Sequence, residues 1–155
     1  MILNTGYEVL IAGIGGAILA QTLKVMLYFI THKEINFKIL TTTGGMPSSH
    51  SAVVTGIATS VALIQGFDSV LFAVSTGFAI IIMYDATGIR RAAGKTAATL
   101  NRFIREIRAK DQKITTYATL KELLGHTPIE VFWGAILGVI FAYFVHGILQ
   151  LLLLW

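Results

Sequence analysis

A chain of 155 residues in which 55% are hydrophobic and only 13% charged has too little polar surface to cover itself in water. With a mean hydropathy of +0.74, it cannot be an ordinary soluble globule and reads as one integral membrane domain, residues 1–155. The absence of cysteine excludes disulfides, iron–sulfur clusters and thiolate zinc sites. The net charge of +4 matters less than its placement, because all 12 Lys and Arg residues lie between Lys24 and Lys121.

The N-terminal residues lack a basic region, so no cleaved signal peptide is expected. The first apolar segment, Val9 to Ile30, is long enough to cross the hydrocarbon as a helix. Gly13, Gly15, Gly16, Ala17 and Ala20 give it a small-residue face for close helix packing. Lys24 falls in its last two turns, where a lysine either snorkels to the interface or serves a function. A polar connection, Thr31 to Ser49, carries His32, Lys33, Glu34 and Lys38 and ends in Gly44-Gly45-Met46-Pro47-Ser48-Ser49-His50-Ser51.

That stretch has the composition of an anion cradle. Gly44 and Gly45 permit backbone conformations in which successive N–H groups turn inward. Pro47 suits the first turn of a helix, and Ser48, Ser49 and Ser51 offer hydroxyl groups or caps at an N-terminus that receives phosphate well. His50 can exchange a proton near neutral pH. The plainer alternative is a helix cap with a histidine beside it. Ala52 to Ile64 continues as an apolar run of about 19 residues counted from Pro47, so the motif sits at the membrane boundary. Gln65 to Ser69 is a tight turn, and Val70 to Tyr84 returns through the bilayer.

Asp85 to Thr127 holds nine of the 12 basic residues and reads as a region outside the bilayer. Within it, Leu100, Phe103, Ile104 and Ile107 recur at helical spacing while Arg102, Arg105 and Arg108 occupy other faces. This is the pattern of a basic amphipathic helix on anionic lipid, with a solvated loop as the alternative. Pro128 to Trp155 forms the last span, with Glu130 near its start and Trp155 as an interfacial anchor. The expected fold is therefore all-α: a membrane bundle of about four transmembrane helices plus a cytoplasmic amphipathic helix. The distribution of Lys and Arg places both polar connections in the cytoplasm and both termini outside, in the plasma membrane if the source is bacterial.

This topology brings three polar clusters to one side: the central motif, Tyr84 to Lys95, and Gly125-His126-Thr127-Pro128-Ile129-Glu130. His126 and Glu130 are four apart, so on a helix the carboxylate can hold one imidazole nitrogen and leave the other free to attack. Asp85 is expected to pair with Arg90 or Arg91 and to orient it, or to serve only as a helix-end ion pair. Two histidines, several cations and a helix N-terminus meet the needs of phosphoryl transfer. His50, His126, Asp85 and Glu130 could instead ligate a divalent ion, but the surrounding guanidinium groups favour an anion.

At these residues the chain resembles the divergent branch of the type 2 phosphatidic acid phosphatase family, related to the vanadium-dependent haloperoxidases. The resemblance covers most of the chain. It implies that Pro47-Ser48-Ser49-His50 matches the family's Pro-Ser-Gly-His motif, with His50 as the acid for the leaving group. It also implies that His126 is the nucleophile forming a phosphohistidine, with Glu130 in place of the family's aspartate. The family's lysine followed seven residues later by Arg-Pro is absent, since Thr31 stands at that distance from Lys24. The family's arginine six residues before the nucleophile is Leu120, next to Lys121. Phosphate would then be held by Ser48, Ser49, Gly45, Arg90, Arg91, Lys95 and Lys24, without metal or cofactor.

The activity expected is hydrolysis of a lipid phosphate or diphosphate at the cytoplasmic interface. Its rivals are a non-catalytic membrane protein that binds anionic lipid or phosphate, and vanadate-dependent haloperoxidase chemistry, which suits an amphiphilic substrate poorly. Membrane lipids and the lipid phosphate are the expected partners, nucleic acid is not, and four spans where relatives typically have six leave room for a homodimer.

Overall fold

The computed structural model describes residues 3–34, 39, 44–110, 119–120 and 125–152. Lys38, Thr41 to Thr43, Lys113, Lys121 and Trp155 lie outside the described residues, as does the side chain of Lys110. Five helices follow one another, and no strand occurs among the described residues: α1 (Gly6–His32), α2 (Ser49–Gln65), α3 (Val70–Thr87), α4 (Ile89–Lys110) and α5 (Pro128–Leu152).

Local chemistry sets the ends of these helices. α1 stops where Lys33 takes a left-handed conformation at φ 59 and donates its N–H to Phe29 O at 2.8 Å. α2 starts at Ser49 because Ser48 is extended and its Oγ accepts the Ser51 N–H at 3.3 Å. Pro47 consequently precedes the cap and does not occupy the first helical turn. At the opposite end of the α2–α3 hairpin, Gly66 turns at φ +91 and the Ser69 hydroxyl accepts the Phe72 N–H at 3.2 Å. Only Gly88 separates α3 from α4, so the basic stretch begins as 22 residues of helix and not as a loop.

α1, the stretch beginning at Val70 and α5 are long and apolar enough to cross a membrane. α2, with 17 residues and a length of about 25 Å, is packed among α1, α3 and α5 and completes a four-helix membrane bundle. Size sorts the side chains here. Small residues line the contacts: Ala12, Gly13 and Gly16 on α1, Ala52 and Gly56 on α2, Gly134 and Gly138 on α5. Large ones such as Leu71, Phe78, Ile140 and Phe144 point outward. Lipid gives apolar side chains no reason to hide, so close approach of backbones and bonds such as Thr55 Oγ1 to Ala135 O at 3.0 Å hold the helices together.

α4 turns Gly94, Ala97 and Asn101 inward and leaves Leu100, Phe103 and Ile107 exposed beside its arginines. Asn101, 2% exposed, donates to Leu120 O at 2.8 Å and accepts the Leu120 N–H at 3.0 Å. One side-chain amide thus pins the returning chain to α4.

Sequence reading missed a polar cluster at the end of the bundle remote from the central motif. Glu8 is 0% exposed. Its Oε1 lies 2.6 Å from His146 Nδ1, its Oε2 accepts the Asn4 N–H at 2.7 Å, and Gln150 Nε2 is 2.9 Å from His146 Nε2. The cluster ties α1 to α5 where each helix alone looks uniformly apolar.

Candidate functional site

The end of the bundle that carries the central motif collects the starts of α2, α4 and α5 with the end of α3. Two backbone bonds stitch it: Ser48 N–H donates to Glu130 O at 3.0 Å, and His126 N–H donates to Ala86 O at 2.9 Å. The three polar clusters of the sequence therefore meet in space.

His126 is 3% exposed, and its Nδ1 is 2.9 Å from Glu130 Oε2. That oxygen also accepts the Thr127 N–H at 3.3 Å, while Glu130 N–H donates to Thr127 Oγ1 at 3.4 Å. The reciprocal Thr127–Glu130 pair is a helix cap. It does not account for the other face of the imidazole. A carboxylate acceptor at Nδ1 assigns the proton there and the lone pair to Nε2, and Nε2 is buried with no hydrogen-bond partner. The His50 ring is T-shaped to it, with centroids 6.0 Å apart.

Two cavities adjoin His126, and a third lies beyond them. One of about 200 Å³ is lined by His50, His126, Asp85, Ala86 and Arg90, with Ile81 and Ile82 as its apolar wall. A second, of about 400 Å³, lies on the Glu130 side of His126 and contains Arg91, Lys95, Thr127 and the glycines 44, 45, 94 and 125. The third is an apolar slot of about 380 Å³ along α1, formed by Leu27, Tyr28, Ile39 and Met46 with Lys24 at its edge, and it meets the second at Gly44 and Gly45.

The predicted cations do not share one cavity. Adjacent helical residues point about 100° apart, so Arg90 faces the histidines while Arg91 faces the glycines. Arg90 Nε also binds Asp85 Oδ2 at 2.7 Å, the pairing anticipated from sequence. Arg91 and Lys95 have no ion-pair partner among the described residues. Lys24 does not snorkel: it is 4% exposed, its Nζ is buried without a partner, and its stem packs on Gly45. Ser48 is spent on the cap, with its N–H given to Glu130 O, and Ser49 is half-buried in the first turn. Gly45, at φ +92, and Gly125, at φ +84, adopt backbone that favours glycine; a Cβ on Gly125 would lie 2.5 Å from Arg91 N. Among the described residues no group of three or more histidine or carboxylate side chains is gathered as for a metal ion.

A model of the divergent PAP2 family matches residues 5–141. The chain is also 46% identical over 148 residues to an uncharacterized membrane protein, YuiD, of Bacillus subtilis (strain 168), covering 87% of this chain and 94% of that relative. No solved structure matches. With the three motifs at one end of a membrane bundle and the family match spanning nearly all of it, the chain belongs to the divergent PAP2 family.

Proposed function

We propose that the protein hydrolyses a lipid phosphate or diphosphate through a phosphohistidine, in the cavity between His126 and His50. The observation that carries this reading is the buried, unpartnered Nε2 of a histidine whose Nδ1 is held by a carboxylate. A structural cap has no use for that nitrogen, whereas a nucleophile needs it. Nε2 attacks phosphorus, the P–O bond to the lipid breaks, and His50 gives its proton to the leaving oxygen. Water then attacks the phosphohistidine, His50 takes the water's proton, the P–N bond breaks and inorganic phosphate departs. Glu130 stabilises the positive imidazole that forms when Nε2 bonds to phosphorus, and Arg90, steadied by Asp85, faces the developing oxyanion charge. A phosphate-release panel on detergent-solubilised protein tests this, and no release from any lipid phosphate would reject it.

The second reading is a non-catalytic membrane protein that binds anionic lipid or phosphate, favoured by the sealing of Nε2 from solvent in this conformation. Metal dependence separates the enzyme reading from a His and carboxylate metal site. Activity is expected to persist in excess EDTA, because cations face the cavity; a strict need for added divalent ion would overturn this.

The reading includes orientation. The site faces the cytoplasm and both termini lie outside, since every lysine and arginine falls between residues 24 and 121. In intact cells an impermeant thiol reagent should label Ser69→Cys and leave Lys33→Cys untouched, and labelling of both from the same side would refute the topology.

A further inference from the structure

We infer that α4 is a docking surface for an anionic bilayer. A stripe of Ile89, Leu100, Phe103 and Ile107 beds into the acyl boundary of the leaflet on the site's side, and Arg102, Arg105 and Arg108 stand among anionic headgroups. The inference is independent of the phosphatase reading, because it concerns the membrane and no substrate.

The helix presents three faces of different chemistry. At about 100° per residue, Ile89, Leu100, Phe103 and Ile107 fall within an arc of roughly 60°. Gly94, Ala97 and Asn101 are buried and lie about a third of a turn from that stripe. This small face, and not the large apolar one, packs against the protein, where Asn101 holds the Leu120 backbone. Arg102 and Arg105 occupy the side away from the stripe, and Arg108 flanks it. The large side chains are left uncovered, with Phe103 61% and Ile89 67% exposed. Such a stripe on a helix outside the bundle marks an interaction surface.

Lipid is the cover that fits it. Gly88 alone separates α4 from α3, whose apolar stretch is long enough to cross a membrane. The stripe therefore begins at the membrane boundary, one turn after the exposed ring of Tyr84. Every charged residue of α4 except Glu106 is basic, and Glu106 is engaged by Arg102 at 3.0 Å. A helix with its apolar face at the acyl boundary has its axis among the headgroups, where arginines meet the negative field of an anionic leaflet. A groove of about 330 Å³ along the flank sets Lys95, Thr96 and Thr99 beside Leu100 and Phe103, as a headgroup next to its acyl chain requires. Docking a second copy stripe to stripe would instead bring two strongly basic helices together, and their like charges repel.

The chain has no cysteine, so one introduced cysteine carries one fluorophore. Full-length protein labelled at Phe103→Cys or Ile107→Cys, and for comparison at Arg102→Cys, is placed in nanodiscs of equal parts phosphatidylcholine and phosphatidylglycerol. Labels at 103 and 107 should be quenched by lipid with a nitroxide on its acyl chain and shielded from aqueous iodide, and the label at 102 should show the reverse. Nitroxide phosphatidylglycerol should quench the label at 103 more than nitroxide phosphatidylcholine does, by up to about fivefold for each arginine that attracts a headgroup. Replacing Arg102, Arg105 and Arg108 together by glutamine should bring that ratio close to one, whereas replacing them by lysine, which keeps the charge, should preserve it. Equal iodide quenching at 103 and 102 overturns the proposal. Shielding of 103 from both quenchers overturns it too, since protein and not lipid would then cover the stripe. A phosphatidylglycerol to phosphatidylcholine ratio of one in the parent, or a ratio unchanged by the glutamine substitutions, overturns the role of the arginines.

Discussion

His126→Ala is expected to lower phosphate release by roughly 10⁴-fold or more on every substrate, the scale of loss when a member of a nucleophile–base unit is removed. His50→Ala should behave differently. If His50 only protonates the leaving oxygen, an aryl phosphate, whose leaving group needs little protonation, should recover part of the rate in His50→Ala and none in His126→Ala. Glu130→Gln should fall between them, because its oxygen still reaches Nδ1 but no longer balances the imidazolium. Single-turnover assays with acid-labile phosphohistidine detection would follow the intermediate directly. Wild-type release by both histidine variants on all substrates would make these residues caps.

The second large effect concerns packing. A Cβ on Gly138 would run into Ala52 O and Thr55 Oγ1, and one on Gly134 into Ser48 O. These neighbours are mostly backbone, and a helix backbone cannot swing aside as a side chain can. Gly138→Leu is expected to destabilise the bundle by about 3 kcal/mol, the upper end for overpacking. That corresponds to a fall of roughly 10 °C in melting temperature in detergent. Gly134→Val should lose phosphate release even where the protein survives extraction, because it drives α5 away from the Ser48 cap. Gly147→Leu is the comparison: nothing lies within 4 Å of its Cβ position, and its melting temperature should stay close to that of the parent. Equal shifts at positions 138 and 147 would refute this account.

Much of this could be read from sequence, for identifiable reasons. The membrane helices announced themselves through uninterrupted apolar runs, and the convergence of three polar clusters followed from helix direction alone. The His126–Glu130 pairing was legible because both residues lie on one helical turn. The sorting of cations was not legible: Arg90 and Arg91 are neighbours in sequence, and which cavity each one faces depends on how the start of α4 is turned against the Gly125 segment. The start of α4 was hidden for a similar reason, since Gly88 reads as a break yet interrupts the helix for a single residue. Glu8 and His146 escaped notice because they are 138 positions apart and each stands nearly alone on an apolar helix.

The bond from Ser48 N–H to Glu130 O has a consequence for biosynthesis. The bond that holds the central motif to Glu130 arrives with α5, which follows the other four helices in the chain. Until that helix inserts, α2 carries an open small-residue flank at Ala52 and Gly56, and no carboxylate stands beside His126. A partly translated chain therefore leaves that flank unfilled and available to whatever machinery receives unfinished membrane proteins. Docking of α5 closes the flank and sets His126 beside His50 together.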